Sequence, residues 1–338
     1  MDNSTYGNNY LIIQTAFLGD VVLSLTMAEY IKTRDKGSRV ILLTTKTGSP
    51  IAEECEFIDE VISYDKRGKD RGLSGIIKIS KMLNEFNFKV VFTPHRSFRS
   101  SILTKLIKSK FKYGFDKNSI SWLFSNRVKY KTDKHEIVRN LSLVRAYWGD
   151  NSDEIIKPKL NKSGLKNEYI IIAPGSVWNT KRWPEEKWAE LILHPYMLDR
   201  KVTLIGAKGD VQTVEAILKK VDGKHPNLVN RTGQDDIKQT IEVIAQGKLL
   251  ISNDSAPQHI AVAVDTPVIT IYGSTVPGFG FYPVGNLDVI IETDEKLSCR
   301  PCTDHGKKEC PIKTFDCMES IKTEQIIEAI QKIEMSTI

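Results

Sequence analysis

Short apolar runs alternate with longer amphipathic stretches along the whole chain, a pattern typical of a parallel sheet covered by helices. In the first half one amphipathic stretch predicts a helix that begins near Asp20 and ends around Gly37. Four apolar runs bounded by polar or turn residues predict strands over Tyr10–Gln14, Arg39–Thr44, Glu60–Tyr64 and Lys89–Thr93. The pattern therefore predicts an α/β protein.

A second alternation follows a charged stretch without clear period, residues 151–168, which we interpret as a linker. Helices are predicted near Pro184, Asp210, Asp236 and Pro257, with a last one over Thr323–Glu334. Strands are predicted over Tyr169–Ala173, Lys201–Gly206, Leu249–Ser252 and Val268–Tyr272. The chain of 338 residues is thus divided into two predicted domains, residues 1–155 and 156–338.

The segment SNDSAPQHIA follows an apolar run and opens a predicted helix. Asp254 or Ser255 can cap that helix, Pro257 suits its first turn, and His259 adds a donor. Backbone N–H groups at such a helix start form an anion site. The alternative is a capped helix without a ligand, and the small Ser255 and Ala256 favour a closely approaching phosphate.

A second segment, APGSVWNTKRWPEEKW, also leads from a strand into a helix. Its loop carries Ser176 and the two cations Lys181 and Arg182. A lysine between helix N-termini is a suitable point charge for a diphosphate. The alternative is a solvated pair of cations.

Asp20 lies in TAFLGD, where the first strand turns into the first helix. An aspartate at a helix start is most often a cap. Opposite a phosphate site the same carboxylate can serve as a general base.

Residues 95–134 contain eleven Lys and Arg against two Asp, a net charge of +9 that exceeds the +6 of the whole chain. Aromatic residues are interleaved with these cations: Phe98, Phe111, Tyr113, Phe115, Trp122 and Phe124. The mixture suits an anionic surface with apolar parts. Nucleic acid is the rival partner, and a solvated basic face over core aromatics is the third interpretation.

Four of the five cysteines, Cys299, Cys302, Cys310 and Cys317, are clustered near the C-terminus with His305 among them. Four thiolates can hold a structural zinc, while reduced packing cysteines or a disulfide are the alternatives. We expect the segment to clamp the C-terminal tail. Cys55 is interpreted as a packing residue.

Composition and termini narrow the class of protein. Hydrophobic residues make up 41% and charged residues 27%, an ordinary globular composition. The first residues carry no basic region or long apolar run, and no stretch reaches about 18 consecutive apolar residues. These features, with few cysteines, predict a cytoplasmic protein, soluble or peripheral to a membrane.

Three segments in this order, LIIQTAFLGDVVLSL, PGSVWNTKRWPEEKWAEL and NDSAPQHIAVAVDTPVITIYGSTVP, resemble the glycosyltransferase family 9 enzymes, the ADP-heptose:lipopolysaccharide heptosyltransferases. The segment CRPCTDHGKKECPIKTFDCM is more similar to the second heptosyltransferase of the core pathway than to the first. The resemblance implies a GT-B fold, two Rossmann-like domains whose parallel sheets face each other across a cleft. The N-terminal domain would bind the acceptor and the C-terminal domain the nucleotide sugar.

The resemblance also implies roles for particular residues. Asp20 would be the catalytic base of an inverting displacement, and Lys181 would stabilise the leaving diphosphate. The other donor-binding residues implied are Ser176, Asp254, Ser255, Ala256, His259 and Gly273 with its neighbours to Thr275, and either Asp210 or Glu215 at the ribose. The acceptor-binding residues implied are Lys66, Arg67, Arg96, Arg127, His135 and Arg139.

The resemblance implies ADP-heptose as donor, a lipid A and Kdo-containing acceptor, and a peripheral position on the inner face of the inner membrane. It implies no cofactor for catalysis and no nucleic acid. Two alternatives stay open. One is a GT-B enzyme with another nucleotide sugar or a protein acceptor, and the other is a non-catalytic module that binds anionic lipid or nucleic acid.

Overall fold

The structure is a computed structural model that describes residues 7–162 and 164–336. Contacts divide the chain into a first unit, Met1–Asn161, and a second unit, Lys162–Ile338. The division falls after residue 161 rather than 155, because residues 160 and 161, in the middle of the predicted linker, pack with the first unit. Leu160 is buried, and the Asn161 N–H donates to the Glu54 carbonyl at 2.7 Å. The predicted limits at residues 1 and 338 lie outside the described residues.

The first unit contains a six-stranded sheet in which all strands are parallel, in the order β3-β2-β1-β4-β5-β6. Its strands are β1 Asn9–Ile13, β2 Arg39–Thr45, β3 Glu60–Tyr64, β4 Phe88–Thr93, β5 Ser109–Phe115 and β6 Asn126–Val128. Its helices are α1 Leu18–Arg34, α2 Ser49–Ala52, α3 Gly72–Leu83, α4 Phe98–Leu106 and α5 Glu136–Trp148, with 3₁₀ turns at Asn84–Phe86 and Ser121–Leu123.

The second unit contains another all-parallel sheet, in the order β12-β11-β10-β7-β8-β9. Its strands are β7 Tyr169–Ala173, β8 Lys201–Leu204, β9 Leu228–Asn230, β10 Leu249–Asn253, β11 Val268–Tyr272 and β12 Val289–Glu292. Its helices are α6 Glu185–Leu193, α7 Pro195–Leu198, α8 Val211–Val221, α9 Ile237–Gln246, α10 Ala256–Ala263, α11 Asp316–Glu319 and α12 Thr323–Ser336, with 3₁₀ turns at Asn179–Lys181, Lys208–Asp210 and Pro277–Phe279.

The two sheets have the same topology. In each, the first and fourth strands of the unit are neighbours and the strand order reverses between them, which is the doubly wound Rossmann-like arrangement. The predicted class, α/β with two Rossmann-like parallel sheets, is confirmed. Ligands of such sheets bind outside the carboxyl ends of the strands, near the point of reversal.

The eight predicted strands all form, and most of their ends agree within one residue. Four strands were not predicted: lysines alternate with aromatics in β5, and β6, β9 and β12 have only three or four residues each. The first helix ends at Arg34 rather than at Gly37. Asp35 adopts an extended conformation there, and its N–H donates to the Ile31 carbonyl.

Both cores lie against the central strands of the sheets. In β1, Leu11, Ile12 and Ile13 are all fully buried, as expected for a strand covered by helices on both faces. In the second unit the rings of Trp183 and Trp188 pack edge to face, 5.0 Å apart. No helix of the described residues has the length and apolar character needed to cross a membrane.

Candidate active site

Three loops of the second unit meet at the carboxyl ends of the neighbouring strands β11, β10 and β7. The fully buried Asn253, the last residue of β10, joins two of them. Its Nδ2 donates to the Pro174 carbonyl at 2.7 Å, and its Oδ1 accepts the Trp183 N–H at 3.0 Å. Asn253 therefore holds both ends of the loop that carries Lys181, a role that the sequence analysis did not assign to it.

Lys181 and Asp254 form an ion pair in this loop cluster. The Lys181 Nζ lies 2.6 Å from Asp254 Oδ2, and both side chains are largely buried. The Thr275 hydroxyl donates to the same carboxylate oxygen at 2.7 Å, and Gln258 Nε2 donates to the other at 2.9 Å. The structure thus brings together Lys181, Asp254 and Thr275, and the Asp254 carboxylate fixes the position of the ammonium group.

The N-terminus of α10 lies next to this pair. Ser255 is the N-cap residue, but in the described chain its side chain makes no capping hydrogen bond and donates instead to the Asn253 carbonyl. Ser255, Ala256 and Pro257 are partly exposed, whereas His259 is buried in the first turn. The predicted capping by Asp254 or Ser255 side chains is therefore wrong, since those oxygens have other partners. An uncapped helix N-terminus offers N–H groups and a positive dipole end to an anion.

The other predicted donor-side residues lie on the same rim with structural contacts of their own. Ser176 is buried, and its carbonyl accepts from Arg182 Nε, so this second loop cation supports the backbone. Asp210 caps its own turn by accepting the Ala207 N–H at 2.9 Å. The Asp210 carboxyl group packs so closely on Gly175 that a Cβ there would lie 2.3 Å from Asp210 Cγ. Glu215 lies on the exposed side of α8.

Gly273 is needed for packing. A Cβ at Gly273 would lie 2.5 Å from the Met318 side chain, and its carbonyl accepts from Arg300 Nε at 2.6 Å. Arg300 precedes Cys302, whose N–H donates to the Ser274 carbonyl at 3.0 Å. The cysteine segment therefore contacts the loop after β11.

The cysteine segment also contacts the lysine loop through Thr180. The buried Thr180 hydroxyl accepts the Lys307 N–H at 2.8 Å and the Ser274 hydroxyl at 3.1 Å. The Thr180 N–H in turn donates to the Lys307 carbonyl. Cys317 joins the core with α12, in agreement with the expected clamp on the tail. Residues 302–307 in addition support the loop cluster.

The four clustered thiols interact with one another. Burial first, and then the neighbouring Cys302, Cys299 and Cys310, raise the pKa of Cys317 to about 12. Among residues 7–162 and 164–336, however, no three His, Cys, Asp or Glu side chains are arranged to hold a metal ion. The side-chain arrangement does not fit zinc as it stands, and the zinc site stays a prediction. Cys55 is buried, as a packing role requires.

In the first unit Asp20 occupies the third position of α1. Its Oδ2 accepts the Phe17 N–H at 3.2 Å, which is the capping contact expected of an acidic residue at this place. The side chain is half-buried. Negative charge is favoured at a helix N-terminus.

His95, which the sequence analysis left without a role, lies beside this helix start. It follows β4, the neighbour of β1, and its Nδ1 lies 2.9 Å from Thr15 Oγ1 and 3.2 Å from Ser100 Oγ. The Lys66 ammonium donates to the Thr15 carbonyl. The signal that could have identified His95 is its place after a central strand at the point where the strand order reverses.

Four of the predicted acceptor cations separate into two groups. Lys66 and Arg67 line a cavity of about 450 Å³ together with Arg71, Ser97 and Arg99. Arg127 is exposed on β6, and the exposed Arg96 places its guanidinium 4.0 Å from the centre of the Tyr130 ring.

The other two predicted acceptor residues are buried and have structural roles. The His135 side chain accepts the Ile137 N–H and caps α5. Arg139 pairs with the buried Glu136 at 2.9 Å and donates to the Thr132 carbonyl. Their assignment to acceptor binding stays a prediction.

We predict a pH-dependent contribution of His95 to stability. Burial first, and then the cations of Lys66 and Arg96, lower the pKa of His95 from 6.5 to about 4. Between these pH values the unfolded chain binds more protons, so His95 makes the free energy of unfolding fall as the pH drops from about 6.5 to about 4. Thermal unfolding against pH measures this, and His95→Asn should flatten the fall. If the stability of the wild type and of His95→Asn depends equally on pH, His95 is not held neutral in the folded protein.

Zinc content distinguishes a metal site from packing cysteines in the C-terminal segment. If the four thiols bind zinc, protein purified without added metal contains about one zinc per chain, and a strong chelator lowers its melting temperature. Elemental analysis of Cys310→Ser should then show loss of zinc, whereas Cys55→Ser serves as the control that retains it. If the protein contains no zinc and all four thiols can be alkylated, the four residues are packing cysteines.

Comparison with known proteins agrees with this architecture. The family model of glycosyltransferase family 9 (heptosyltransferase) matches residues 76–313. The lipopolysaccharide core heptosyltransferase OpsX of Haemophilus influenzae is 27% identical, over 95% of this chain and 96% of that protein. Lipooligosaccharide heptosyltransferase 2 of Campylobacter jejuni is also 27% identical, over 94% and 96% respectively.

Solved structures share the fold. Escherichia coli ADP-heptose lipopolysaccharide heptosyltransferase II has a TM-score of 0.80 at 18% identity, covering 97% of this chain and 99% of that one. A family 9 glycosyltransferase of Veillonella parvula has a TM-score of 0.84 at 20% identity, covering 99% of both chains. The predicted GT-B type of fold is thereby supported. The chain belongs to glycosyltransferase family 9, the heptosyltransferases, and is a glycosyltransferase.

Proposed function

We propose that this enzyme transfers heptose from ADP-heptose to a sugar hydroxyl of the lipopolysaccharide inner core. The acceptor sugar would be Kdo or the first heptose of the lipid A core. The observation that carries the proposal is the buried Lys181–Asp254 pair at the start of α10, within the residues matched by the family. The relatives from Haemophilus and Campylobacter, named as heptosyltransferases of lipopolysaccharide and lipooligosaccharide, support the choice of substrate.

The second unit would bind the donor. The ammonium group of Lys181 and the N–H groups at the start of α10 present positive charge to a diphosphate. The carboxylate of Asp254 prevents the ammonium from moving away when the donor is absent. Asp210, at the end of the turn after β8, is the acidic residue we assign to the ribose hydroxyls.

The first unit would bind the acceptor, and Asp20 would act as the general base. A carboxylate near the acceptor hydroxyl takes its proton as the oxygen attacks the anomeric carbon, and the ADP leaves from the opposite side in one inverting displacement. Lys66, Arg67 and Arg99 around the cavity of the first unit suit the phosphates and carboxylates of an inner-core acceptor.

No metal is needed for this chemistry, because the lysine and the helix dipole stabilise the leaving diphosphate. We also propose that the enzyme works as a peripheral protein on the inner face of the inner membrane, where a lipid A acceptor is anchored. Nucleic acid is not an expected partner.

The two alternative functions, a non-catalytic binding module and an enzyme with other substrates, are distinguished by different observations. Membership of an enzyme family argues against a module that only binds lipid or nucleic acid. A different nucleotide sugar or a protein acceptor is tested by measuring nucleotide release from ADP-heptose and from UDP-sugars with each acceptor. Release that depends on a UDP-sugar, or on protein, would overturn the proposed substrates.

Asp20 and Lys181 should affect different kinetic constants. Asp20→Asn should lower kcat by about 100- to 10,000-fold with ADP affinity nearly unchanged, because the amide cannot take a proton. Lys181→Ala should lower kcat/KM by about 10- to 150-fold and weaken ADP binding, because a charged hydrogen-bond donor is lost. Steady-state kinetics and calorimetric titration with ADP measure both.

A matched control addresses the carboxylate that Lys181→Ala leaves unpaired. The double variant Lys181→Ala, Asp254→Asn removes both charges. It should have a higher melting temperature than Lys181→Ala, while its kcat/KM should stay as low. Near-wild-type turnover of Asp20→Asn would exclude its role as base.

Thr180 should affect donor binding through the loops it joins. Thr180→Val removes the hydroxyl between Lys307 and Ser274, and we expect the donor KM to rise by about 5- to 50-fold through displacement of Lys181. Thr180→Ser keeps the hydroxyl and is the control with a KM near that of the wild type. Identical donor KM values for Thr180→Val and Thr180→Ser would show that the cysteine segment does not support the site.

A further inference from the structure

Large apolar side chains are exposed on three neighbouring elements of the first unit. α4 contacts both α3 and the turn Ser121–Leu123. Trp122 on the turn is 72% exposed, Leu73 on α3 is 67% exposed and Phe98 on α4 is 59% exposed. Ile77 on α3 and Leu106 on α4 are also exposed. Single exposed apolar residues are common, but a group on adjoining elements marks an interaction surface.

Local packing explains how Trp122 is presented. Phe124, two residues later, is buried, and its ring occupies the space above Gly114, where a Cβ would lie 2.5 Å from the ring. Its N–H donates to the Ser121 carbonyl and closes the turn. Phe124 therefore anchors the turn to the sheet while Trp122 projects into solvent.

Cations surround these apolar side chains. Arg71 and Ser97 are the N-cap residues of α3 and α4, so the cavity they line with Lys66, Arg67 and Arg99 lies at the starts of both helices. Lys105 is exposed near the other end of α4, beside Leu106. Leu73 lies two residues after Arg71, and Phe98 directly follows Ser97. Apolar and cationic groups therefore belong to one surface.

We infer that α3, α4 and the turn Ser121–Leu123 form a membrane-docking surface for an anionic bilayer. The apolar side chains enter the boundary between headgroups and acyl chains, and the exposed cations Arg71 and Lys105 contact lipid phosphates. Aliphatic Leu73, Ile77 and Leu106 cannot stack on bases, so the chemistry favours lipid over single-stranded nucleic acid. The inference rests on the proposed function, because it places the enzyme at the membrane that holds the acceptor.

Vesicle binding tests the surface directly. Full-length protein is sedimented with vesicles of phosphatidylglycerol and phosphatidylethanolamine, and with vesicles of phosphatidylcholine alone. We expect binding to the anionic vesicles that weakens as salt rises, because the Debye length falls from about 10 Å at 0.1 M to about 3 Å at 1 M. The double variant Leu73→Ser, Trp122→Ser should bind at least about tenfold more weakly.

The matched control is Met335→Ser, which removes a side chain that is 71% exposed on α12 of the second unit. It should bind like the wild type. Equal binding of the double variant and the wild type would overturn the inference. Equal binding to phosphatidylcholine, or displacement from anionic vesicles by single-stranded nucleic acid at equimolar phosphate, would overturn it too.

Two acceptor forms separate this inference from the proposed function. With a deacylated, water-soluble acceptor, the double variant should turn over like the wild type. With the lipid-anchored acceptor in vesicles it should be slower in proportion to its lost binding. If the wild type transfers heptose to neither acceptor, the proposed function fails; if the double variant matches the wild type on both, only the docking surface fails.

Discussion

The parallel pairing of β10 with β7 is the constraint on which the site of the second unit depends. It places the end of β10 beside the start of the loop that follows β7, so that the single side chain of Asn253 reaches both ends of that loop. A buried amide with two strong partners is costly to displace, since each partner would lose its hydrogen bond in a region without water. The position of Lys181 follows from this bridge, and the position of Asp254 follows from the strand that supports it.

Charge is arranged differently in the two units. In the second unit the lysine is balanced by a carboxylate that is itself held by Thr275 and Gln258, which gives a preorganised site with little net charge. In the first unit four cations line one cavity together with the uncharged Ser97. The first arrangement suits a single ligand of defined geometry, and the second suits varied anionic groups held mainly by long-range attraction.

Sequence periodicity predicted the fold well where strands are buried on both faces, because such strands are continuous runs of Ile, Leu and Val. It failed for β5, in which exposed lysines interrupt the apolar pattern. Motifs predicted Lys181 and Asp254 but not their pairing, and they missed Asn253, Thr180 and His95. Those three act through partners far along the chain, so only the strand order shows them. The burial of Arg139 was not predicted, because its partner Glu136 is indistinguishable in sequence from a solvated acid.

The contact between Gly175 and the Asp210 carboxyl group has a consequence for how this chain can change over evolution. Any side chain at position 175 would collide with the acid that caps the turn after β8. The two positions lie on different loops yet share one small volume, so substitution at either is constrained by the other. A larger residue at position 175 would therefore require a smaller one, or a shifted turn, at position 210.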